Sequence, residues 1–348
     1  MCYDAFMKTR HSFTKIFKTL LCIFLLACTL CGCTLPGSEK NKSVQKTIIA
    51  YDTVVTITLY GTTDMSILED AATMCTSYEQ LFSRTIEGSD VYRINHSNGA
   101  PVTVSPETLL LIKESIRFSE LTDGAIDITI APVRDLWDFT DSDMASTNSD
   151  GFVLPDEAVL SDALSHVDYH CIQYNESAST VTLTDPQAQI DLGFIAKGYI
   201  ADQLKVFLMS KGVDSAIINL GGNVLTIGTK PDGSAFKIGI EKPFDTATSL
   251  DVLSVSDRSV VTSGIYQRYI KYNDEIYHHI LDPKTGYPVS GDLLSVTIVS
   301  DSSMIGDALS TSCLLLGVEE SQTLLSAFED VEAVFVTTDY QIIRWSQP

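Results

Sequence analysis

Apolar positions recur along this chain with two distinct periods. From Thr47 to Leu59 they alternate, placing Val55, Ile57 and Leu59 on one face, as in a half-buried strand. From Met65 to Phe82 the spacing is helical. A second helix is predicted to begin at Ser105-Pro106-Glu107 and to end near Thr122-Asp123-Gly124. A capping hydroxyl, a proline at the first helical position and an acid in the first turn mark its start. A loop-rich stretch follows to about Ser165. Strands are expected at 167–175 and 178–184, then a helix from about Ile195 to Lys211 closed by Gly212. From Ser215 to Val299 short Val-, Ile- and Thr-rich runs are separated by Gly, Pro or Asp turns. Helices over Ser302–Leu316 and Glu319–Phe328 and a hairpin over 332–345 around Thr338-Asp339 complete the pattern. Strands and helices neither alternate strictly nor separate into blocks. The fold class is therefore α+β, a single interwoven domain with mixed or antiparallel sheets and flanking helices.

The first residues read differently. Lys8, Arg10, Lys15 and Lys18 precede an apolar run from Leu20 to Leu30, too short to span a bilayer but suited to a signal-peptide core. Leu30-Cys31-Gly32-Cys33 after that core resembles a bacterial lipobox, with Cys28 as a second candidate. The expected organisation is a lipoprotein signal peptide at 1–32, a polar tether at 33–46 after lipidated Cys33, and one domain at 47–348. This reading places the protein at the membrane, lipid-anchored on its extracytoplasmic side.

Composition narrows the function. The 348 residues include 23 Lys plus Arg against 45 Asp plus Glu, a net charge of −22. Removing residues 1–32 takes away four basic side chains and one acid, which leaves −25. Such a surface repels phosphate backbones, so no nucleic-acid partner is expected. A phosphorylated small ligand stays possible where a divalent cation bridges acids to phosphate. Of eight cysteines, only Cys75, Cys171 and Cys313 remain beyond the signal and the anchor. An odd number without a CxxC argues against a disulfide framework or a zinc site.

Four segments carry candidate chemistry. Asp191-Leu192-Gly193-Phe194-Ile195-Ala196-Lys197-Gly198-Tyr199 lies at a predicted strand-to-helix junction. Its glycines permit close backbone approach, its helix start favours an anion, and Lys197 suits a phosphate. A structural turn with a surface lysine fits nearly as well. Asn219-Leu220-Gly221-Gly222-Asn223 is a glycine-rich turn or an ordinary hairpin. His278-His279 precedes the tight turn Asp282-Pro283-Lys284-Thr285-Gly286, and in a strand at most one of the two imidazoles faces a site. Asp307-Ala308-Leu309-Ser310-Thr311 sets a carboxylate and a hydroxyl one helical turn apart, a pair suited to Mg²⁺ or simply an acid near a helix start.

In chain order these segments resemble the FAD:protein FMN transferases, the ApbE-type flavin transferases, many of them bacterial lipoproteins. The resemblance runs from about Ala50 to Gly317. It also includes Asp52-Thr53-Val54-Val55-Thr56-Ile57, Phe82-Ser83 through Ser89-Asp90 to Asn95, Ala125-Ile126-Asp127-Ile128-Thr129 with Pro132 and Leu136-Trp137, and Thr262-Ser263-Gly264. It implies an ApbE-like (T-fold-like) domain with FAD in a cleft and Mg²⁺ on the diphosphate. It implies flavin contacts at Tyr51, Thr85, Ala125, Ile126, Asp127, Asp191, Lys197 and Ile280. Metal ligands are implied at Asp307 and Thr311, with main-chain oxygens from Phe194 and Ser310. Many members carry Met-Gly-Thr where this chain has Tyr51-Asp52-Thr53, and an aromatic residue at the place of Thr85.

The implied reaction is Mg-dependent transfer of the FMN moiety of FAD to a threonine hydroxyl of an acceptor flavoprotein in an extracytoplasmic electron-transfer system, releasing AMP. His279 is the candidate general base, since an imidazole titrating near 6.5 suits proton uptake at neutral pH. With water as the nucleophile the same site would be an FAD diphosphatase. A non-catalytic flavin-binding lipoprotein is a third reading. A solute-binding lipoprotein would need two lobes of alternating strands and helices, which the β region from Ser215 to Val299 does not supply.

Overall fold

The computed structural model describes residues 42–137, 139 and 152–347. The expected signal peptide, Cys33 and most of the tether lie outside them.

Alternation across the main sheet explains its two buried faces. Eight antiparallel strands lie in the order β1-β2-β6-β7-β10-β13-β14-β15. They are β1 (Ser43–Ala50), β2 (Thr53–Tyr60), β6 (Ala216–Leu220), β7 (Asn223–Ile227), β10 (Ser259–Gly264), β13 (Leu293–Ser300), β14 (Glu332–Thr337) and β15 (Ile342–Ser346). On one face Val55, Ile57 and Leu59 sit opposite Leu220, Ile218 and Ala216. That face packs under a helical layer of α1 (Met65–Phe82), α6 (Ala196–Ser210) and α7 (Ser303–Leu325). On the other face Ile217, Val260 and Val299 meet Phe236, Ile238, Leu253 and Val255. These come from the hairpin of β8 (Phe236–Lys242) and β9 (Asp245–Val255). Covered on both sides, β13 is buried at every residue and reads as one apolar run rather than an alternation.

Smaller elements surround this core. The strands β3 (Val102–Thr103), β4 (Ile172–Asn175) and β5 (Thr180–Leu183) form a three-stranded sheet, and β11 (Tyr269–Tyr272) pairs with β12 (Glu275–His278). The helices α2 (Asp90–Asn95), α3 (Pro106–Leu121), α4 (Ala131–Arg134) and α5 (Glu157–Leu164) complete the set. The described residues from Ser43 onward form one compact unit. No described helix is long and apolar enough to cross a membrane.

The α+β reading holds, and three local expectations change. The single strand expected over Thr47–Leu59 is a hairpin, turned at Tyr51 and Asp52, both at positive φ (57° and 55°). Neither residue is the Gly or Asn that usually announces such a turn. The loop-rich stretch expected from Gly124 to Ser165 contains α4 and α5. The strand expected at 167–175 begins only at Ile172, after a 3₁₀ turn over Tyr169–Cys171 that Asp168 caps. The two helices expected after Ser302 are separated at Gly317 (φ 77°, ψ 179°).

Candidate active site

The segment from Asp191 to Lys197 joins two charged clusters. Asn95 fixes its start with two bonds to the main chain of Ile190, at 2.9 and 2.7 Å. Asp191 N donates to Ile128 O at 2.8 Å, and Asp191 Oδ1 accepts from Gly193 N at 2.8 Å. The other carboxylate oxygen faces cations: Arg134 Nη1 donates to Asp191 Oδ2, and Arg84 Nε stands 3.5 Å from it. Burial alone would raise this acid, but Arg134 and Arg84 outweigh it and hold Asp191 below the usual carboxylate range. Arg84 also pairs with the exposed Asp135. Ser83 accepts from Thr85 N and Ile86 N at 3.2 and 3.1 Å and so shapes the turn that presents Arg84.

On the far side of Gly193 lies the second cluster. Lys197 Nζ donates to Gly193 O at 3.1 Å and stands 3.9 Å from Asp307 Oδ1. Asp307 is 3% exposed, and Oδ2 accepts from Gly198 N at 2.9 Å. An α-helix would return that N–H to Phe194 O, so the diversion leaves the Phe194 carbonyl without this donor. Burial raises Asp307, while Lys197, the Gly198 N–H and the Asn223 side chain counteract it. Hydroxyl groups gather beside it: Ser263 Oγ lies 2.8 Å from Ser310 Oγ and 3.0 Å from Thr311 Oγ1. Ser310 also donates to Asp307 O at 2.9 Å.

These donors fit a hard cation. A buried carboxylate with one lysine at 3.9 Å is poorly neutralised, and a divalent ion on Asp307 and Thr311 would relieve it. Among the described residues no group of three or more His, Cys, Asp or Glu could hold a metal. A single carboxylate suits Mg²⁺, which takes its other ligands from water and phosphate oxygens.

His279 stands beside the arginine cluster. Its Nδ1 is 3.2 Å from Arg268 O. A carbonyl only accepts, so Nδ1 carries the hydrogen and Nε2 keeps a free lone pair. The expected titration near 6.5 does not hold here. Burial, then the Arg268 and Arg134 charges, push His279 down to about 3, and His278 falls to about 4 by burial. His278 is turned away, with Nε2 3.2 Å from Val289 O.

The other residues named from the sequence are placed as follows. Ile126, Asp127 and Ile280 are buried, and the Asp127 carboxylate accepts from Thr129 N at 2.8 Å and Tyr169 N at 2.9 Å. Burial raises Asp127 against these bonds. Ala125 is half-buried in the preceding turn and Thr85 is exposed. Tyr51 donates its hydroxyl to Cys75 O and its N–H to Glu79 Oε1 at 2.7 Å, so its side chain has only the ring left for a ligand. Sequence reasoning passed over Arg84, Arg134 and Arg268, which lie in three separate segments with no shared motif. Ser263 stood within a noted motif but was given no role.

Comparison with known proteins places the chain in a family. The ApbE family profile matches residues 51–335. A Klebsiella pneumoniae protein named FAD:protein FMN transferase is 38% identical over 268 residues, 76% of this chain and 80% of its own length. A Treponema pallidum protein of the same name is 31% identical over 92% of both chains. The crystal structure of the ApbE protein of Thermotoga maritima superposes with a TM-score of 0.78 at 30% identity, covering 87% of this chain and 97% of its own. The flavin transferase ApbE of Vibrio cholerae gives 0.75 at 25% identity, covering 87% and 96%. The fold and these matches define a flavin-transferase architecture. The chain belongs to the ApbE family.

Proposed function

We propose that this protein transfers the FMN moiety of FAD to a threonine hydroxyl of an acceptor flavoprotein and releases AMP. The observation that carries the reading is a cationic site, Arg84, Arg134, Arg268 and Lys197 around Asp191 and Asp307, in a chain of net charge −22. Such a site suits a dinucleotide diphosphate. The named relatives support the same activity.

In this mechanism the acceptor oxygen bonds to the FMN-side phosphorus, the bridging P–O bond breaks, and its electron pair leaves with AMP. His279 Nε2 takes the hydroxyl proton, a role its fixed tautomer allows. The base is neutral at pH 7; burial lowers it most, and bound diphosphate would offset the two arginine charges that lower it further. Lys197 holds a phosphate oxygen as a point charge. Asp307, Thr311 and the carbonyls of Phe194 and Ser310 would hold Mg²⁺, which neutralises diphosphate charge and polarises a phosphoryl oxygen. The remaining flavin contacts would come from Tyr51, Thr85, the Ala125–Asp127 turn, Asp191 and Ile280. Lipidation of Cys33 would set the site on the extracytoplasmic face of the membrane, where exported electron carriers need a flavin they cannot lose.

The test is to incubate the protein with FAD, Mg²⁺ and a threonine-containing acceptor and weigh the acceptor. It should gain one FMN. An unmodified acceptor, with FMN free in solution, would make the protein a diphosphatase instead.

A further inference from the structure

Three guanidinium groups from separate segments surround Asp191, and one of them differs from the other two. Arg134 and Arg84 reach its carboxylate, and Arg84 has Asp135 as well. Arg268 makes no ion pair among the described residues. Its Nη2 donates to the main-chain carbonyl of Asp52 at 2.9 Å, and it lies within Coulombic reach of Arg134. Both side chains are partly buried. Arginine cannot shed its proton, so Arg134 and Arg268 stay charged side by side, with the Asp52 and Asp191 carboxylates in Coulombic reach of Arg268 and no ion pair closed to either. Guanidinium forks match phosphoryl oxygens in shape and charge.

We propose that Arg134 and Arg268 seat the phosphoryl group of FAD that is attacked, the one that stays with the flavin. The proposal rests on the transfer reading above and adds the residues that grip the reacting phosphate. Its geometric basis is that the main-chain carbonyl of Arg268 lies 3.2 Å from His279 Nδ1 and orients the base, while the Arg268 guanidinium is close enough for its charge to act on the imidazole. A base works within about 2.6–3.2 Å of the attacking hydroxyl, and that oxygen within about 3–3.5 Å of phosphorus. A guanidinium whose charge reaches the base is the one assigned to the FMN-side phosphate. As the new P–O bond forms and AMP leaves, charge spreads over the non-bridging oxygens that these arginines face.

Binding of half-substrates by the whole protein tests this in EDTA, where no divalent metal contributes. Flavin fluorescence compares FMN with riboflavin, and calorimetry compares AMP with adenosine. Wild type should bind FMN at least about tenfold more tightly than riboflavin, as expected for charge-assisted hydrogen bonds. Arg268→Gln should bring that ratio close to one, with riboflavin affinity and the AMP-to-adenosine ratio unchanged. Arg268→Lys should restore part of the preference. If Arg268→Gln does not fold, Arg134→Gln makes the same test. A wild type without preference for FMN, a variant that keeps it, or a variant that loses preference for AMP instead would each overturn the assignment. Failure of the transfer reading shows separately, as an acceptor that gains no FMN mass.

Discussion

The backbone N–H of Gly198 donates to Asp307 Oδ2 at 2.9 Å and ties together the starts of two helices 109 residues apart in sequence. The contact requires glycine for space rather than for conformation. A Cβ on Gly198 would stand 2.6 Å from Ser303 C and 2.7 Å from Met304 Cα. Gly198→Ala should therefore separate the starts of α6 and α7 and misplace Lys197 against Asp307. Overpacking usually costs about 1–3 kcal/mol, and the upper end or more is expected where backbone obstructs. A lowered denaturant midpoint together with lost turnover would bear this out. A fully active, equally stable variant would show that the helices do not meet this closely.

Asp307→Asn keeps an acceptor for the Gly198 N–H and removes the charge. Turnover should fall by at least about 10²-fold, since metal charge stabilisation is worth several kcal/mol. FAD should still bind, as read by flavin fluorescence. Wild type should lose turnover in EDTA and regain it with Mg²⁺. Full activity of wild type in excess EDTA would remove the metal from the account.

The histidine pair sets a sign for stability against pH. His279 and His278 lie at about 3 and 4 when folded and near 6.5 when unfolded. Between these limits the unfolded chain binds more protons, so their contribution is complete above 6.5 and declines as the pH falls. Wild type should lose stability relative to His279→Asn between pH 7 and 5. A relative gain would contradict an imidazole held neutral in the fold.

Lipid anchoring makes a cellular prediction. Cys33→Ala should leave the protein in the soluble extracytoplasmic fraction. If the variant stays with the membrane, Cys33 is not the anchor and Cys28 is the next candidate.

Local signals carried much of the fold. Helix α1 spans the same Met65–Phe82 that helical spacing marks out, and α3 starts at Pro106 behind the Ser105 cap. Gly212 follows α6 at φ 78°, as a left-handed residue closing a helix should. The turn at Tyr51-Asp52 escaped because Tyr51 does not advertise a positive φ and no glycine accompanies Asp52. In the site, Asp191, Lys197, Asp307, Ser310 and Thr311 sit in short motifs and could be singled out. The arginines could not, because Arg84, Arg134 and Arg268 become neighbours only through tertiary packing. The imidazole of His279 was visible, but its desolvation beside two cations depends on the same packing.

Release of AMP from FAD, followed with and without acceptor, tests the central claim most directly. Both the transferase and the diphosphatase need the same phosphate-binding residues, and they differ in which oxygen attacks. A positioned hydroxyl makes the attack effectively unimolecular and should outpace water strongly. AMP release from FAD alone should be slow, release once acceptor is added should be fast, and one FMN–threonine ester should form per AMP. His279→Ala should slow this step far more than it weakens FAD binding. Equal AMP release without acceptor, with no FMN on protein, would contradict the account.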